Sequence, residues 1–225
     1  MKMILSLAVA TLLVLPASAQ FRIWTNKEGQ ESEMKLVQVD VVDGEKVGMF
    51  TLKNGKRSTI PQSQLKDEDA ERMEYWTPMP PGAPSVFDDY LWGNVVTVGQ
   101  DFKFNTAKRA RKPEKYYVFY YTSSWCGPCL EYTPKLMEWY AENKNDNFEI
   151  FLISSDLNSG RMAGYARKMK MIWPHLAFYQ IKDFKEKFRE EHGAHRIPRL
   201  VVCTPDGKVL GNYRGKLKEL SAMVK

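Results

Sequence analysis

The sequence contains few cysteines and few histidines for its length, and both shortages restrict its chemistry. Three cysteines occur in 225 residues, Cys126, Cys129 and Cys203, all in the C-terminal half. Small exported domains held together by disulfides carry a larger set, so the close pair favours working chemistry over a structural staple. A closed zinc site built from this pair and His195 would lack a fourth ligand of suitable spacing. We therefore predict no metal and no cofactor.

Long apolar runs are also rare, and the clearest one is at the N-terminus. Met1-Lys2 supplies a positive charge, Ile4 to Leu15 is apolar, and Ala17-Ser18-Ala19 places small residues before a cleavage point. A run of about 12 residues is too short to span a bilayer but suits a secretory signal. We predict a cleaved signal peptide at residues 1–19, and hence an exported protein, either periplasmic or secreted.

Charge divides the remaining chain into two parts. Residues 20–77 carry 9 basic and 11 acidic residues, whereas residues 78–225 carry 23 and 16. Four prolines and a glycine in residues 77–84 indicate an extended linker. We predict a first domain at 20–76, a linker at 77–85 and a second domain at 86–225. The basic run at 108–112 is too short for a nucleic-acid site, so no nucleic-acid partner is expected.

The first of these parts has the pattern of a small β domain. Asn54-Gly55 is a strong hairpin signal, and short β-prone runs alternate with turn residues on both sides of it. These features predict a small SH3-like barrel followed by a short acidic helix at 64–75. The predicted strands are Phe21–Trp24, Met34–Val42, Val47–Leu52 and Ser58–Pro61.

Several positions in residues 21–76 resemble Sla homology domain one, a small SH3-like module. The positions that carry the resemblance are Arg22-x-Trp24-Thr25, Gly29, Asn54-Gly55-Lys56, Ile60-Pro61, Leu65 and Glu68-Asp69. The resemblance implies that this domain binds a short peptide or an envelope partner. A spacer or docking barrel without a peptide pocket is an equally open interpretation.

The second part alternates between strand-like and helix-like segments. This alternation predicts an α/β sheet with helices on both faces. Its predicted strands are Val86–Tyr90, Val95–Val98, Tyr116–Tyr121, Phe148–Ser154, Leu176–Tyr179, Leu200–Thr204 and Lys208–Tyr213. Its predicted helices are Cys126–Asn143, Gly160–Lys170, Ile181–Gly193 and Lys216–Val224.

Two cysteines separated by two residues follow a predicted strand and begin a predicted helix. This position places Cys126 at the first helical turn, where unpaired backbone N–H groups and the helix dipole favour a thiolate. Pro128 suits that turn because its missing N–H costs nothing there. The pair could close a small disulfide ring or hold half of a metal site, and we favour a redox-active dithiol.

Residues 86–225 resemble the thioredoxin superfamily, and most closely its tryparedoxin and nucleoredoxin branch. The motif Trp125-Cys126-Gly127-Pro128-Cys129 follows a strand, and Ile197-Pro198 precedes one. The branch usually has proline at the position of Gly127. Further positions that carry the resemblance are Thr133-Pro134-Lys135-Leu136, Tyr140, Phe148-Glu149-Ile150, Ser155-Asp156, Tyr165-Ala166 and Met169.

The resemblance implies a thioredoxin-like fold and a thiol–disulfide exchange mechanism. Cys126 would attack a substrate disulfide, and Cys129 would resolve the mixed disulfide to give a redox-active Cys126–Cys129 pair. Substrates would be disulfide-containing proteins, and a membrane or soluble thiol donor would supply electrons. Active-site support would come from Trp125, Gly127, Pro128, Ile197 and a cis-proline at Pro198.

One position departs from the thioredoxin pattern. Thioredoxins place a buried Asp six residues before the first cysteine, and this chain has Tyr120 there. A neutral tyrosine would not act as the same base, so water, Asp156 or Glu131 remain candidates for the proton of Cys129. Cys203 lies in an apolar run and is predicted to be a buried core thiol.

The residues leave two other functions open. The protein could be an envelope adaptor whose N-terminal barrel carries the function, with an incidental dithiol. It could also be a disulfide isomerase, although no dimerisation segment is evident. The reductase hypothesis leads because the Gly-Pro dipeptide between the cysteines resembles that of reducing thioredoxins.

Overall fold

A computed structural model of the protein describes residues 21–99, 104–107 and 110–225. The predicted signal peptide and two residues of the basic run, Lys108 and Arg109, lie outside the described residues. Within those ranges no helix is long and apolar enough to cross a membrane.

The first part of the described chain forms an antiparallel sheet in which each strand pairs with the next in sequence. Gly55 has φ of +79°, a backbone conformation that glycine adopts without steric cost, at the hairpin that Asn54-Gly55 predicts. The strands are β1 (Arg22–Thr25), β2 (Glu31–Val42), β3 (Glu45–Leu52) and β4 (Arg57–Pro61), followed by helix α1 (Asp67–Glu74).

A small apolar core lies between this sheet and α1. The rings of Trp24 and Phe50 meet edge to face at 4.8 Å. Gly48 lets the sheet approach the helix closely, because a Cβ there would lie 2.6 Å from the terminal methyl of Met73. The buried side chains are Trp24, Met34, Leu36, Phe50, Leu65 and Met73.

The second part of the chain forms a mixed sheet, with seven strands in the described residues. Its order is β11-β10-β7-β8-β9-β5-β6, with β7, β8 and β9 parallel and the other pairs antiparallel. The strands are β5 (Val95–Val98), β6 (Phe104–Thr106), β7 (Tyr116–Thr122), β8 (Phe148–Ser154), β9 (His175–Leu176), β10 (Arg199–Cys203) and β11 (Val209–Asn212).

Helices cover the central strands, so these strands read as continuous apolar runs instead of alternating patterns. Every residue of β8 is buried, as is every residue of β7 after Tyr116. The helices are α2 (Asp88–Leu91), α3 (Gly127–Asn143), α4 (Ser159–Lys168), α5 (Ile181–Phe188) and α6 (Leu217–Val224). The α/β architecture predicted for this part is confirmed.

Two predicted strands are wrong. The segment Val86–Tyr90 is a turn leading into α2, because Asp88 accepts a hydrogen bond from the Ser85 N–H at 3.0 Å and the Ser85 hydroxyl accepts one from the Phe87 N–H. The segment Leu176–Tyr179 contributes only Leu176 to β9, and a 3₁₀ turn at Phe178–Gln180 follows. Local capping overrides the apolar pattern in the first case.

The two sheets meet at the turn that precedes α5. The guanidinium of Arg72, on α1, lies 5.0 Å from the ring centroid of Tyr179. The Arg22 guanidinium donates to the side-chain oxygen of Gln180 at 3.4 Å. Burial, with the nearby charge of Arg72, lowers the pKa of Arg22 to about 10. Cationic side chains at this short turn therefore contribute to the contact between the first sheet and the second, together with the edge-to-face contact of Tyr75 and Phe104.

Candidate active site

The two clustered cysteines lie where β7 ends and α3 begins. Cys126 is the residue that caps the helix, and Gly127 and Pro128 form its first positions. The Cys126 Sγ accepts a hydrogen bond from the backbone N–H of Cys129 at 3.2 Å. A sulfur in this position receives both a direct N–H donor and the positive end of the helix dipole. This environment stabilises a thiolate on Cys126 when the pair is reduced.

Cys126 and Cys129 are joined as a disulfide, with their Cα atoms 5.1 Å apart. Cys126 keeps 6% of its surface exposed, whereas Cys129 has none. Cys126 is therefore less exposed than the sequence suggested, although Gly127 and Pro128 beside it are exposed. The two cysteines still differ, since solvent reaches Cys126 but not Cys129.

Ile197 and Pro198 lie just before β10, beside the active-site end of β7. The peptide bond between them is cis. Arg199 pairs with Tyr121 in the antiparallel register of β10 and β7, so the preceding residues lie next to the loop that leads to Cys126. Pro198 is buried and Ile197 is half-buried. The structure thus brings this dipeptide to the same end of the sheet as the dithiol.

Tyr120 lies at the position where the thioredoxin pattern has an acid, and it is fully buried. Its hydroxyl is 2.7 Å from Thr133 Oγ1, which is also 2.7 Å from the hydroxyl of Tyr165. Thr133 Oγ1 donates to the backbone oxygen of Cys129 at 2.8 Å. Burial raises the pKa of Tyr120 well above its ordinary value, so its hydroxyl stays protonated at neutral pH. Tyr120 therefore supports the helix as a neutral group.

The two acidic candidates from the sequence have different environments. The Asp156 Oδ1 accepts from the Ser123 hydroxyl, the Ser124 N–H and the Ser124 hydroxyl at 2.9, 2.9 and 2.6 Å. Its Oδ2 accepts from the Ser154 hydroxyl at 2.8 Å. Glu131 is exposed on α3. Only Asp156 is thus bonded into the loop that holds the dithiol.

Trp125 stands beside the disulfide with 59% of its surface exposed. Its indole N–H donates to the backbone oxygen of Ser155 at 3.3 Å. Leu157, two residues further along that turn, is 73% exposed. The exposed ring of Trp125, one of the predicted supporting residues, leaves apolar surface free next to Cys126.

Sequence reasoning missed the polar residues that surround the dithiol. Most of them follow β7 or β8 at their carboxyl ends, and residues at the ends of neighbouring parallel strands meet at one edge of a sheet. Runs of serine and threonine after two apolar strands were therefore a usable signal. No sequence signal indicated Lys185, which reaches the site from α5. The missed residues are Thr122, Ser123, Ser124, Ser154 and Lys185, and Thr133, Ser155 and Tyr165 were identified only as positions of the resemblance, without a role at the site.

The third cysteine has a different environment. Cys203 is fully buried, as predicted, and burial raises the pKa of its thiol to about 12. Its sulfur lies 3.5 Å from Nε2 of His192, whose Nδ1 lies 2.7 Å from the hydroxyl of Tyr121. His195 is a surface residue, 3.5 Å from Glu190. Among the described residues, no group of three or more His, Cys, Asp or Glu side chains is arranged to hold a metal.

Residues 114–209 match a protein-family model described as thioredoxin-like. Tryparedoxin from Trypanosoma brucei brucei is 36% identical over 94 residues, which cover 41% of this chain and 63% of that protein. Probable nucleoredoxin 1 from Arabidopsis thaliana is 33% identical over 92 residues, which cover 40% of this chain and 15% of that protein. A solved structure of tryparedoxin from Trypanosoma brucei shares 28% identity with a TM-score of 0.48, covering 59% of this chain and 90% of that one.

The family match and the two curated relatives support a thioredoxin-like domain with tryparedoxin and nucleoredoxin relatives, as the sequence motifs predict. Those relatives are thiol–disulfide oxidoreductases. The chain spans less than two thirds of the length of the curated relatives it matches, 15% of one and 63% of the other.

Proposed function

We propose that this thioredoxin-like protein is an exported thiol–disulfide oxidoreductase that reduces protein disulfides through Cys126 and Cys129. One observation carries the proposal. Cys126 caps α3 and accepts the N–H of Cys129, and it is the partly exposed member of a disulfide with that residue. Such a position gives one sulfur both access to substrate and a stabilised thiolate.

In the reductive direction the pair begins as a dithiol. The thiolate of Cys126 attacks one sulfur of the substrate disulfide, forming a mixed disulfide and releasing the other substrate sulfur as a thiolate that takes a proton. Cys129 then loses its proton and attacks the sulfur of Cys126. This second step forms the Cys126–Cys129 disulfide and releases the second substrate thiolate. Two electrons pass to the substrate, and a thiol donor, membrane-bound or soluble, returns the pair to the dithiol by the reverse exchange.

Neighbouring residues support binding in this proposal. Trp125 offers an exposed apolar ring, and the backbone of Ile197 would pair with an extended substrate segment beside Pro198. Pro198 has no N–H that could compete for that pairing. Gly127 and Pro128 are both exposed at the start of the helix and leave the approach to Cys126 open.

The direction of the reaction follows from the dipeptide between the cysteines. The Gly-Pro pair is that of reducing thioredoxins, with potentials of about −270 mV, against about −120 mV for strong exported oxidants. We therefore expect a reductase-like potential in a glutathione redox titration. A value near that of the strong oxidants would contradict reduction as the physiological direction.

Export and the role of the first sheet are further parts of the proposal. The apolar run before Ala17-Ser18-Ala19 supports export, and N-terminal sequencing of the mature protein should begin at Gln20. The four-stranded antiparallel sheet is compatible with an SH3-like module resembling Sla homology domain one. That module would bind a peptide or envelope partner and hold the dithiol near its substrates.

Insulin reduction by the full chain tests the activity directly. We expect the wild type to reduce insulin with dithiothreitol as donor and Cys126→Ser to lose this activity. Cys203→Ser serves as the matched control and should retain it. An inactive wild type with a correctly folded chain would reject the enzyme and favour an adaptor role.

Trapping identifies the substrates of the proposed enzyme. Cys129→Ser cannot resolve the mixed disulfide, so client proteins remain attached to Cys126. The trapped proteins should be released by reducing agent and should be absent from Cys126→Ser/Cys129→Ser. Native disulfide scrambling by the wild type, with little net reduction, would instead indicate an isomerase.

A further inference from the structure

Lys185 is the one lysine of α5 that turns toward the active-site end of the sheet and is half-buried there. Its ammonium donates to the backbone oxygen of Ser154 at 2.6 Å and to the hydroxyl of Ser155 at 2.9 Å. Both acceptors belong to the turn that follows β8. A half-buried ammonium that donates to two acceptors in one turn restricts the arrangement of that turn.

The same turn is bonded to the loop that carries the dithiol. Asp156 accepts three hydrogen bonds from that loop, two of them from the N–H and hydroxyl of Ser124. The backbone oxygen of Ser155 accepts the indole N–H of Trp125, the residue before Cys126. A continuous path of hydrogen bonds therefore runs from Lys185, through residues 154–156, to the residues on the N-terminal side of Cys126.

We propose that Lys185 is a positioning residue of the dithiol, which fixes the turn at residues 154–156 and offsets the negative charge that Asp156 places beside Cys126. The proposal rests on the proposed dithiol function. Asp156 is bound by neutral donors from the loop before Cys126, so its carboxylate charge lies close to the site where a thiolate must form. A nearby anion disfavours a second anion, and a nearby cation relieves that effect.

The charge state of Lys185 depends on three surroundings. Burial and the cation of Arg189, at the end of the same helix, lower its pKa and the carboxylate of Asp156 raises it, and together they give a pKa of about 8. Ser154 and Ser155, which face it from the turn, are neutral. At pH 7 the ammonium is therefore mostly protonated and available to offset Asp156.

Lys185→Met tests the inference because methionine has similar length and no charge. In the reduced full-length protein we expect the pH midpoint for alkylation of Cys126 by iodoacetamide to rise by roughly half to one unit. At a pH well below the midpoint this lowers the alkylation rate of Cys126 roughly threefold to tenfold. Lys182→Met is the matched control, since Lys182 is exposed on the same helix and paired with Glu186, and its midpoint should equal that of the wild type.

Two further variants separate charge from structure. Lys185→Arg keeps the cation and should restore the wild-type midpoint. Adding Asp156→Asn to Lys185→Met removes the charge that Lys185 offsets, while its amide keeps an oxygen for the Ser124 donors, so the midpoint should return toward the wild type. If Lys185→Met does not fold, as judged by thermal unfolding, Lys185→Gln replaces it with the same expected rise.

The outcomes distinguish this inference from the function on which it rests. If the dithiol of the wild type does not titrate reversibly with glutathione, the proposed function is rejected. A wild type that titrates, with the same Cys126 midpoint in the Lys185→Met and Lys182→Met variants, would reject only the role of Lys185. A double variant with the midpoint of Lys185→Met would overturn the charge offset.

Discussion

The chain places cysteines in two contrasting environments on neighbouring elements of one sheet. Cys126 caps a helix, keeps some exposure and accepts the backbone N–H of Cys129. Cys203, the last residue of β10, is fully buried beside His192, whose ring lies among phenylalanines. One environment stabilises a thiolate, and the other penalises it. The comparison shows that the position of a cysteine on the fold, more than its neighbours in sequence, decides whether its thiol reacts.

Alkylation of the reduced protein should show the largest difference between the two environments. With a pKa of about 12, only about 10⁻⁵ of Cys203 is thiolate at pH 7, whereas helix-capping thiols of such motifs are ionised to a large extent. We expect iodoacetamide to label Cys126 ~10³-fold faster than Cys203, or more, and mass spectrometry of the labelled protein measures the two rates. Denatured protein is the control, in which the two rates should converge. Folded-state rates within tenfold of each other would contradict the contrast.

Acid should weaken the environment of Cys203. Burial lowers the pKa of His192 to about 4, below an ordinary value of 6.5. The neutral ring therefore contributes stability that is fully present above pH 6.5 and is lost as the pH falls toward 4, by up to about 3 kcal/mol. Urea unfolding at pH 7 and pH 4 should show a smaller loss in His192→Asn than in the wild type. Equal losses would show that His192 does not titrate in this way.

Loss of the Thr133 hydroxyl, which the hydroxyls of Tyr120 and Tyr165 both contact, should lower the stability of the fold. Thr133→Val removes the oxygen shared by Tyr120 and Tyr165 and leaves the Tyr120 hydroxyl buried without this partner. We expect the free energy of unfolding to fall by about 2 kcal/mol. Tyr120→Phe removes the hydroxyl itself and should cost less, about 1 kcal/mol. Urea unfolding of both variants measures the difference, and a larger loss in Tyr120→Phe would contradict it.

Cys203→Ser should have the smallest effect. Serine is close to cysteine in size, and its hydroxyl can bond His192 in place of the thiol, so the free energy of unfolding should change by no more than about 1 kcal/mol. The glutathione redox potential of the dithiol should not change. A shifted potential would show that the two cysteine environments are coupled.

The sequence predicted the parts of the fold that depend on local patterns. Strand β8 was predicted with its observed bounds, and α3 within one residue, because apolar runs and helix-start signals are local. The error at Val86–Tyr90 arose because Ser85 donates its N–H to the Asp88 carboxylate and accepts the Asp88 N–H at its backbone oxygen, which turns the chain there. An apolar segment can adopt either form, and the choice depends on such side-chain contacts.

The part of the candidate site that depends on local sequence patterns was also predictable. The motif at 125–129 and the proline before β10 are local signals, and both lie at one end of the sheet in the structure. The partners of the loop before Cys126 come from distant segments. Asp156 could be recognised only as a candidate, and Lys185 not at all, because its contact depends on how α5 packs. Packing directions of this kind are set by the whole core and not by sequence spacing.

The turn at Tyr179, which connects the two sheets, has a mechanical consequence. Arg72 of the first sheet's helix rests on Tyr179, and α5 begins two residues later with Lys185 on its second turn. Tilting the first sheet would therefore pull on the helix whose lysine holds the residues next to Cys126. A partner that binds the first sheet would therefore be able to change the reactivity of the dithiol, because Lys185 lies only six residues after Tyr179 in the chain.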